Sequence, residues 1–142
     1  LVQQSPLAVI EWNTDFEVVQ WNEAAEQIFG YTREEALGRH AAGLIVPEEV
    51  RDLVNEVWQN LLKQTGGTRS TNDNFTKDGR VITCEWYNAP LVDVNGNVLG
   101  VAAEQVRSGD QFPSRLPPLA MLQSPILRPL QADPRWQARL GG

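Results

Sequence analysis

Between Trp21 and Gly38 the sequence reads "WNEAAEQIFGYTREEALG", two short helix-forming phrases that each run into a glycine. Asn22 stands at the cap position before "EAAEQIF", and Gly30 follows where a left-handed C-terminal cap is wanted. Thr32 with Glu35 three residues on makes a capping box for "REEALG", which Gly38 ends. Helices of one or two turns bury little surface and are marginal in water by themselves. The stretch therefore needs a sheet supplied by the rest of the chain, with these helices as one wall of what is built on it.

The sheet is legible on both sides. Ahead of the helices, "LAVIEWN" and "FEVVQWN" are β-rich runs separated by Asn13-Thr14-Asp15, a pattern that predicts an antiparallel hairpin. Behind them, Pro47 predicts the opening of a longer helix, "EEVRDLVNEVWQNLLKQ", in which Val50, Leu53, Val54, Val57, Trp58, Leu61 and Leu62 keep the three-and-four spacing of an apolar stripe. Gly66-Gly67 stops it. Three further β runs follow, "STNDNFT", "RVITCEWYNAPLV" and "VLGVAAEQV", joined by Lys77-Asp78-Gly79 and by Asn95-Gly96. Two strands, several helices and three strands predict an α+β domain: a five-stranded antiparallel sheet with its helices across one face.

Residues 1–106 form one unit on this reading and residues 107–142 another. Up to Val106 there are 7 Lys/Arg against 16 Asp/Glu, whereas the remaining residues hold 5 Arg, 2 Asp and six of the nine prolines. A proline-rich segment without periodicity reads as a linker or irregular tail, native or introduced by cloning or read-through. Were it ordered, Leu116, Leu119, Leu122, Ile126 and Trp136 would pack it on a sheet face or a neighbouring chain. The abrupt start at Leu1 suggests an excised fragment. A formal charge of −6 disfavours nucleic acid or anionic lipid as partner. One cysteine, Cys84, leaves no internal disulfide and suits a reducing compartment, with the cytoplasm as default. No apolar run reaches the roughly 18 residues of a membrane span.

The phrases "WN-x-AAE-x-x-x-GY", "E-x-x-x-G" and "LIVP" within "VVQWNEAAEQIFGYTREEALGRHAAGLIVPEEVRD", with "FTKDGRVITCEWYNAPLVDVNGNVLG" behind them, resemble the PAS domains of bacterial and eukaryotic signalling proteins. The resemblance runs from about Ser5 to Val106. It implies a curved sheet of spatial order 2-1-5-4-3, a cavity between sheet and helices, and a sensory role regulating an output domain such as that of a histidine kinase, with homodimerisation through the N-terminal segment and an outer sheet face carrying Trp12, Glu85 and Tyr87. A ligand-free module that only mediates protein contacts is the alternative.

Alternation along the fourth strand places Ile82, Cys84, Trp86 and Asn88 on one face and Thr83, Glu85 and Tyr87 on the other. The first set, with Asn74 and Gln105 from neighbouring strands and Trp58 from the long helix, makes the candidate ligand pocket. The amides are either ligand contacts or simply bonded to backbone and water. Asn74 and Gln105 resemble in placement the flavin-contacting amides of light-oxygen-voltage domains, a PAS branch. That branch carries its reactive cysteine in an Asn-Cys-Arg phrase after "GR"; "GRHAAGLIVPEE" has Ala41 there and Ile45 in place of a glutamine. Noncovalent flavin is thus a minor expectation. Haem is another, because the long helix has no histidine and the sole one, His40, follows a helix stop where side chains bond exposed backbone. Cys84 reads as a small buried apolar residue. One histidine, one cysteine and no phosphate-binding glycine loop supply no catalytic constellation, so the chain is read as a non-enzyme; a small enzyme of the same layout is the competing class.

Overall fold

The structure, a computed structural model, describes residues 7–108, so the expectations for residues 107–142 as a separate tail lie outside the described residues except at the end of the last strand. Strands β1 (Val9–Asn13) and β2 (Val18–Trp21) precede helices α1 (Glu23–Phe29) and α2 (Arg33–Ala36), then two 3-10 turns (Ala41–Gly43 and Glu48–Val50) and helix α3 (Arg51–Leu62). Strands β3 (Arg69–Phe75), β4 (Val81–Val92) and β5 (Val98–Ser108) close the fold. The sheet is antiparallel throughout in the order β2-β1-β5-β4-β3. This is the expected five-stranded α+β architecture.

The short helices hold their places through point contacts. Asn22 Oδ1 accepts from Ala25 N–H at 3.0 Å to cap α1 and from Val9 N–H at 3.0 Å on β1, while Nδ2 donates to Leu7 O. Gly30, at φ 88°, ends α1 with its N–H bonded to Glu26 O. In α2, Thr32 and Glu35 form the reciprocal capping box. The turn after β3 docks on this wall: Lys77 N–H donates to Phe29 O, and Lys77 Nζ meets Glu35 Oε2 at 2.7 Å.

The long helix differs from expectation at both ends. Neither Pro47 nor Val50 offers a capping side chain, so its first turn, Glu48–Val50, tightens to 3-10 and α-geometry starts at Arg51. It stops at Leu62, ahead of the glycines, because Gln64 itself takes a left-handed φ of 59°. Gly67 then passes so close to the helix that a Cβ there would stand 2.7 Å from Val57 O. Of the predicted stripe, Trp58 and Leu61 are buried and Val50, Val54, Val57 and Leu62 half-buried, but Leu53 is 49% exposed at the side of the packing seam.

The main core lies between the inner sheet face and the helices and includes Ile10, Trp12, Trp21, Phe29, Leu44, Trp58, Cys84, Trp86 and Val101. Trp12 is therefore not on the outer face: alternation along β1 sends Ile10 and Trp12 inward. Glu85 and Tyr87 do face outward, beside a second apolar cluster of Val9, Ala89, Ala102 and Val106, yet both are buried within this one chain. Arg69 bonds Glu85 at 2.9 Å and lies over the Tyr87 ring.

Two expectations follow. A Cβ at Gly100 would collide with the Trp12 carbonyl across the β1–β5 ladder, whereas one at Gly43 meets open space. Gly100→Ala should lower stability by about 1–3 kcal/mol and Gly43→Ala by no more than about 0.5 kcal/mol. Equal urea midpoints for the two variants would refute the close approach. The second concerns acid. The Lys77 ammonium, with the Thr32 N–H behind it, holds the Glu35 carboxyl below its ordinary 4.5. Its contribution is present above that value and lost as pH falls through the lower folded-state pKa. In Lys77→Met, the fall in melting temperature on acidification below pH 4.5 should become shallower, as read by calorimetry across that range.

Candidate functional site

The inner face of β3 and β4 meets α3 across a small cavity. Its walls are aromatic and aliphatic (Trp12, Phe16, Trp58, Trp86, Val57, Val101) and its polar lining is Ser70, Asn72, Asn74 and Asn88. The volume is about 50 Å³, room for a few water molecules and well short of the roughly 300 Å³ of an ordinary ligand pocket. The seven candidate residues divide accordingly. Asn74, Trp86, Asn88 and Trp58 line the cavity; Ile82, Cys84 and Gln105 share the inner face but stand outside its lining.

Each amide has a definite setting. Asn74 is buried, donates from Nδ2 to Ile45 O at 3.1 Å, and accepts at Oδ1 from Trp86 Nε1 at 3.0 Å. It thus ties the connection before α3 to two strands, an arrangement reinforced by Phe75 N–H bonding to the same Ile45 carbonyl. Asn88 donates from Nδ2 to Gly67 O at 3.0 Å and to Ser70 Oγ at 3.2 Å. Gln105 is fully buried on β5, with Nε2 3.6 Å from Cys84 Sγ and, among the described residues, no hydrogen-bond partner for Oε1. Backbone bonding of the amides, one of the two expectations for them, is what Asn74 and Asn88 display at their nitrogens.

Phe16, Trp12, Ser70, Asn72 and Val57 were not anticipated as lining. The signal for Trp12 and Asn72 existed in strand alternation, since each lies two residues from an inward neighbour, Ile10 and Asn74. For Phe16 there was none: the sequence reads it as the start of the second β run, whereas β2 begins at Val18 and Phe16 lies in the turn before it. There it adopts φ 63°, rare for a bulky residue, and stacks on Trp58 with ring centroids 3.9 Å apart and planes 10° apart. Trp12 meets its edge at 4.9 Å, His40 at 5.5 Å. His40 caps the first 3-10 turn through Nδ1, which accepts from Ala42 N–H at 3.0 Å, in keeping with a backbone-bonding role.

No Asp, Glu, Lys, Arg or His lines the cavity among the described residues. The shifted groups lie elsewhere: Glu11 is raised by burial, Asp78 is lowered chiefly by its hydrogen bond from Thr76, and Arg69 is raised by Glu85. No cluster of His, Cys, Asp or Glu among the described residues could hold a metal ion. The environment can sort neutral molecules by shape and hydrogen bonding.

A model of the PAS fold matches residues 1–104. This chain belongs to the PAS family. The PAS domain of a protein from Colwellia psychrerythraea superposes with a TM-score of 0.60 at 23% identity, over 70% of this chain and 83% of that one. A Rhodobacter sphaeroides LOV protein gives 0.64 at 14% identity, over 78% and 64%. An RNA-binding light-oxygen-voltage receptor gives 0.59 at 22%, over 72% of this chain but 30% of the receptor. No protein of curated function matches the sequence. At these identities the likeness concerns the fold. The flavin chemistry of the light-oxygen-voltage branch does not fit this PAS domain: Ala41 is buried with no thiol, Ile45 offers no amide, and the cavity is far smaller than a flavin ring system.

The Asn74–Trp86 bond is testable by itself. Trp86→Phe keeps an aromatic ring but leaves Asn74 Oδ1 without its buried indole donor, and should cost about 1–3 kcal/mol. Asn74→Leu combined with Trp86→Phe should cost less than the sum of the two single changes. A strictly additive double-mutant cycle would show the bond to be energetically idle.

Proposed function

We propose that this PAS domain is a sensory module that takes a small molecule in its sheet–helix cavity and regulates an output domain of the same parent protein, such as that of a histidine kinase. The observation that carries the reading is the lining itself. Asn72, Asn74 and Asn88 bring amide groups into a chamber otherwise walled by indole, phenyl and aliphatic surface, the composition of a site that orients a ligand through a few polar contacts. Cys84, Ile82 and Gln105 form the adjoining part of the same inner face, on the strand pair leading towards the end of β5.

Signal passage is a population shift in this reading. Gln105 ties β5 to both neighbours: its N–H bonds Ala8 O ahead of β1, and on β4 its residue pairs with Trp86 and its amide reaches Cys84. A ligand that repacks Trp86 would change the register-setting contacts of β5 beside the bulge between Glu85 and Trp86, and the change would leave through residues 105–107. Homodimerisation and a cytoplasmic site of action belong to the same proposal. No described helix is long and apolar enough to cross a membrane.

A second reading has its own support. The cavity measures only about 50 Å³ and its amide nitrogens already have protein partners, as expected of a ligand-free PAS domain that works by protein contact alone. Native mass spectrometry and an absorption spectrum of the purified chain separate the two. A bound small molecule of defined mass that Asn88→Leu fails to retain supports the sensor reading. Protein of bare polypeptide mass that is dimeric and remains so in Asn88→Leu supports the contact module, while a flavin or haem spectrum would overturn both.

A further inference from the structure

Phe16 walls two concavities at once. It lines the inner cavity, and it also lines an outer groove of about 260 Å³ with His40, Arg51, Asp52 and Asn55. Val46 and Val54 are shared in the same way. The Phe16 backbone is tied on both sides, its N–H donating to Asn13 O at 3.1 Å and its carbonyl accepting from Ala41 N–H at 3.1 Å. Asn13 Oδ1 further accepts from Asp15 and Glu17 N–H, which fixes the left-handed turn. What can turn is the side chain. Its ring lies flat on Trp58, so one of the three indoles lining the chamber is already covered by a ring of the protein.

The interior specifies what could replace that ring. No ionisable side chain lines the cavity among the described residues, so a charge entering it would lose its hydration without an ionic partner. The Nδ2 groups of Asn72 and Asn88 donate to protein acceptors, but no described residue donates to their Oδ1 atoms. The site thus offers an aromatic face and carbonyl acceptors.

We propose that Phe16 is the displaceable wall of this cavity, and that the ligand is a neutral planar ring system with an N–H donor on its edge, which takes the place of Phe16 on Trp58 and donates to the carbonyl oxygen of Asn88 or Asn72. This rests on the reading that the cavity takes a small molecule. Expelling Phe16 opens the cavity towards the groove, whose own lining includes His40, Arg51 and Asp52, so the ring itself has to seat in the uncharged inner part against Trp58.

The test is an amide NMR titration of the full 142-residue chain with four probes at pH 7.5: quinolin-2(1H)-one, its N-methyl derivative, benzoate and cyclohexanol. Quinolin-2(1H)-one should shift the Phe16, Trp58 and Asn88 resonances, and the N-methyl compound and benzoate should bind at least about tenfold more weakly. Phe16→Ala and the gentler Phe16→Leu should each tighten quinolinone binding, by about tenfold in Phe16→Ala, because no ring has to be expelled first. Equal binding of benzoate, or unchanged or weaker quinolinone binding in both variants, overturns the proposal. If cyclohexanol alone shifts the cavity resonances, the cavity reading stands and the ring-for-ring exchange falls. If no probe shifts them in wild type or either variant, the cavity reading falls with it.

Discussion

The hydrogen bonds of Asn74 hold together two parts of the molecule that apolar packing alone would leave loosely joined. The inner sheet face must be covered, but the chain between Asn22 and Pro47 provides only α1, α2 and a 3-10 turn to cover it. Such short elements cannot lie along a sheet with a long apolar seam. They are attached at points instead: Asn22 to β1, Lys77 to the end of α1, and Asn74 to the Ile45 carbonyl. Because Asn74 also accepts from Trp86, the position of the connecting segment is fixed relative to β4 as well as β3. The cavity lies beside this attachment, walled by α3, by Phe16 and by the Ile45–Val46 segment whose carbonyl Asn74 holds.

Much of this was legible in the residues because it is local. Asn22, Thr32 with Glu35, and Gly30 declare their roles within four or five residues, since capping is a matter of neighbouring backbone groups. Period-two alternation likewise separated Cys84, Trp86 and Asn88 from Glu85 and Tyr87. The unread features are those decided by distant partners. Trp12 could have been placed by the same alternation, but an exposed-looking hairpin strand hid it. Phe16 could not: a phenylalanine at the head of a β run gives no hint that it belongs to the turn and folds back in a left-handed conformation onto a tryptophan 42 positions later. The 3-10 start of α3 follows from missing caps at Pro47 and Val50, which the neighbouring acidic residues obscured by looking like a good helix start.

The cavity lining also illustrates how one residue can serve folding and recognition through different atoms. Asn88 satisfies the Gly67 carbonyl with its nitrogen, holding the chain where it turns from α3 towards β3, and Gly67 has to be there without a side chain because Val57 O is so near. Its oxygen is not used in this way. Asn74 differs, since both ends are engaged and the residue is 2% exposed. Substitution at Asn74 therefore disturbs the frame, whereas substitution at Asn88 changes the chamber's chemistry together with one turn contact. The two positions look alike in sequence, and only their partners distinguish them.

Gln105 carries this reasoning to the far side of the core. A fully buried amide whose carbonyl oxygen meets no hydrogen-bond donor among the described residues is a standing cost of about 1–3 kcal/mol, and its nitrogen gains only a weak sulfur acceptor in return. An apolar residue there would avoid the cost. Gln105 sits on the central strand, paired on one side with the β4 residue that shapes the cavity and bonded on the other to the segment leading into β1. Any rearrangement that brought a donor to its oxygen would recover that free energy and favour a different packing of β4 against β5. The site's polarity and the unmet demand at Gln105 are thus two ends of one inner face, separated by the indole of Trp86, and the strand that joins them is the one by which the domain continues into the rest of its chain.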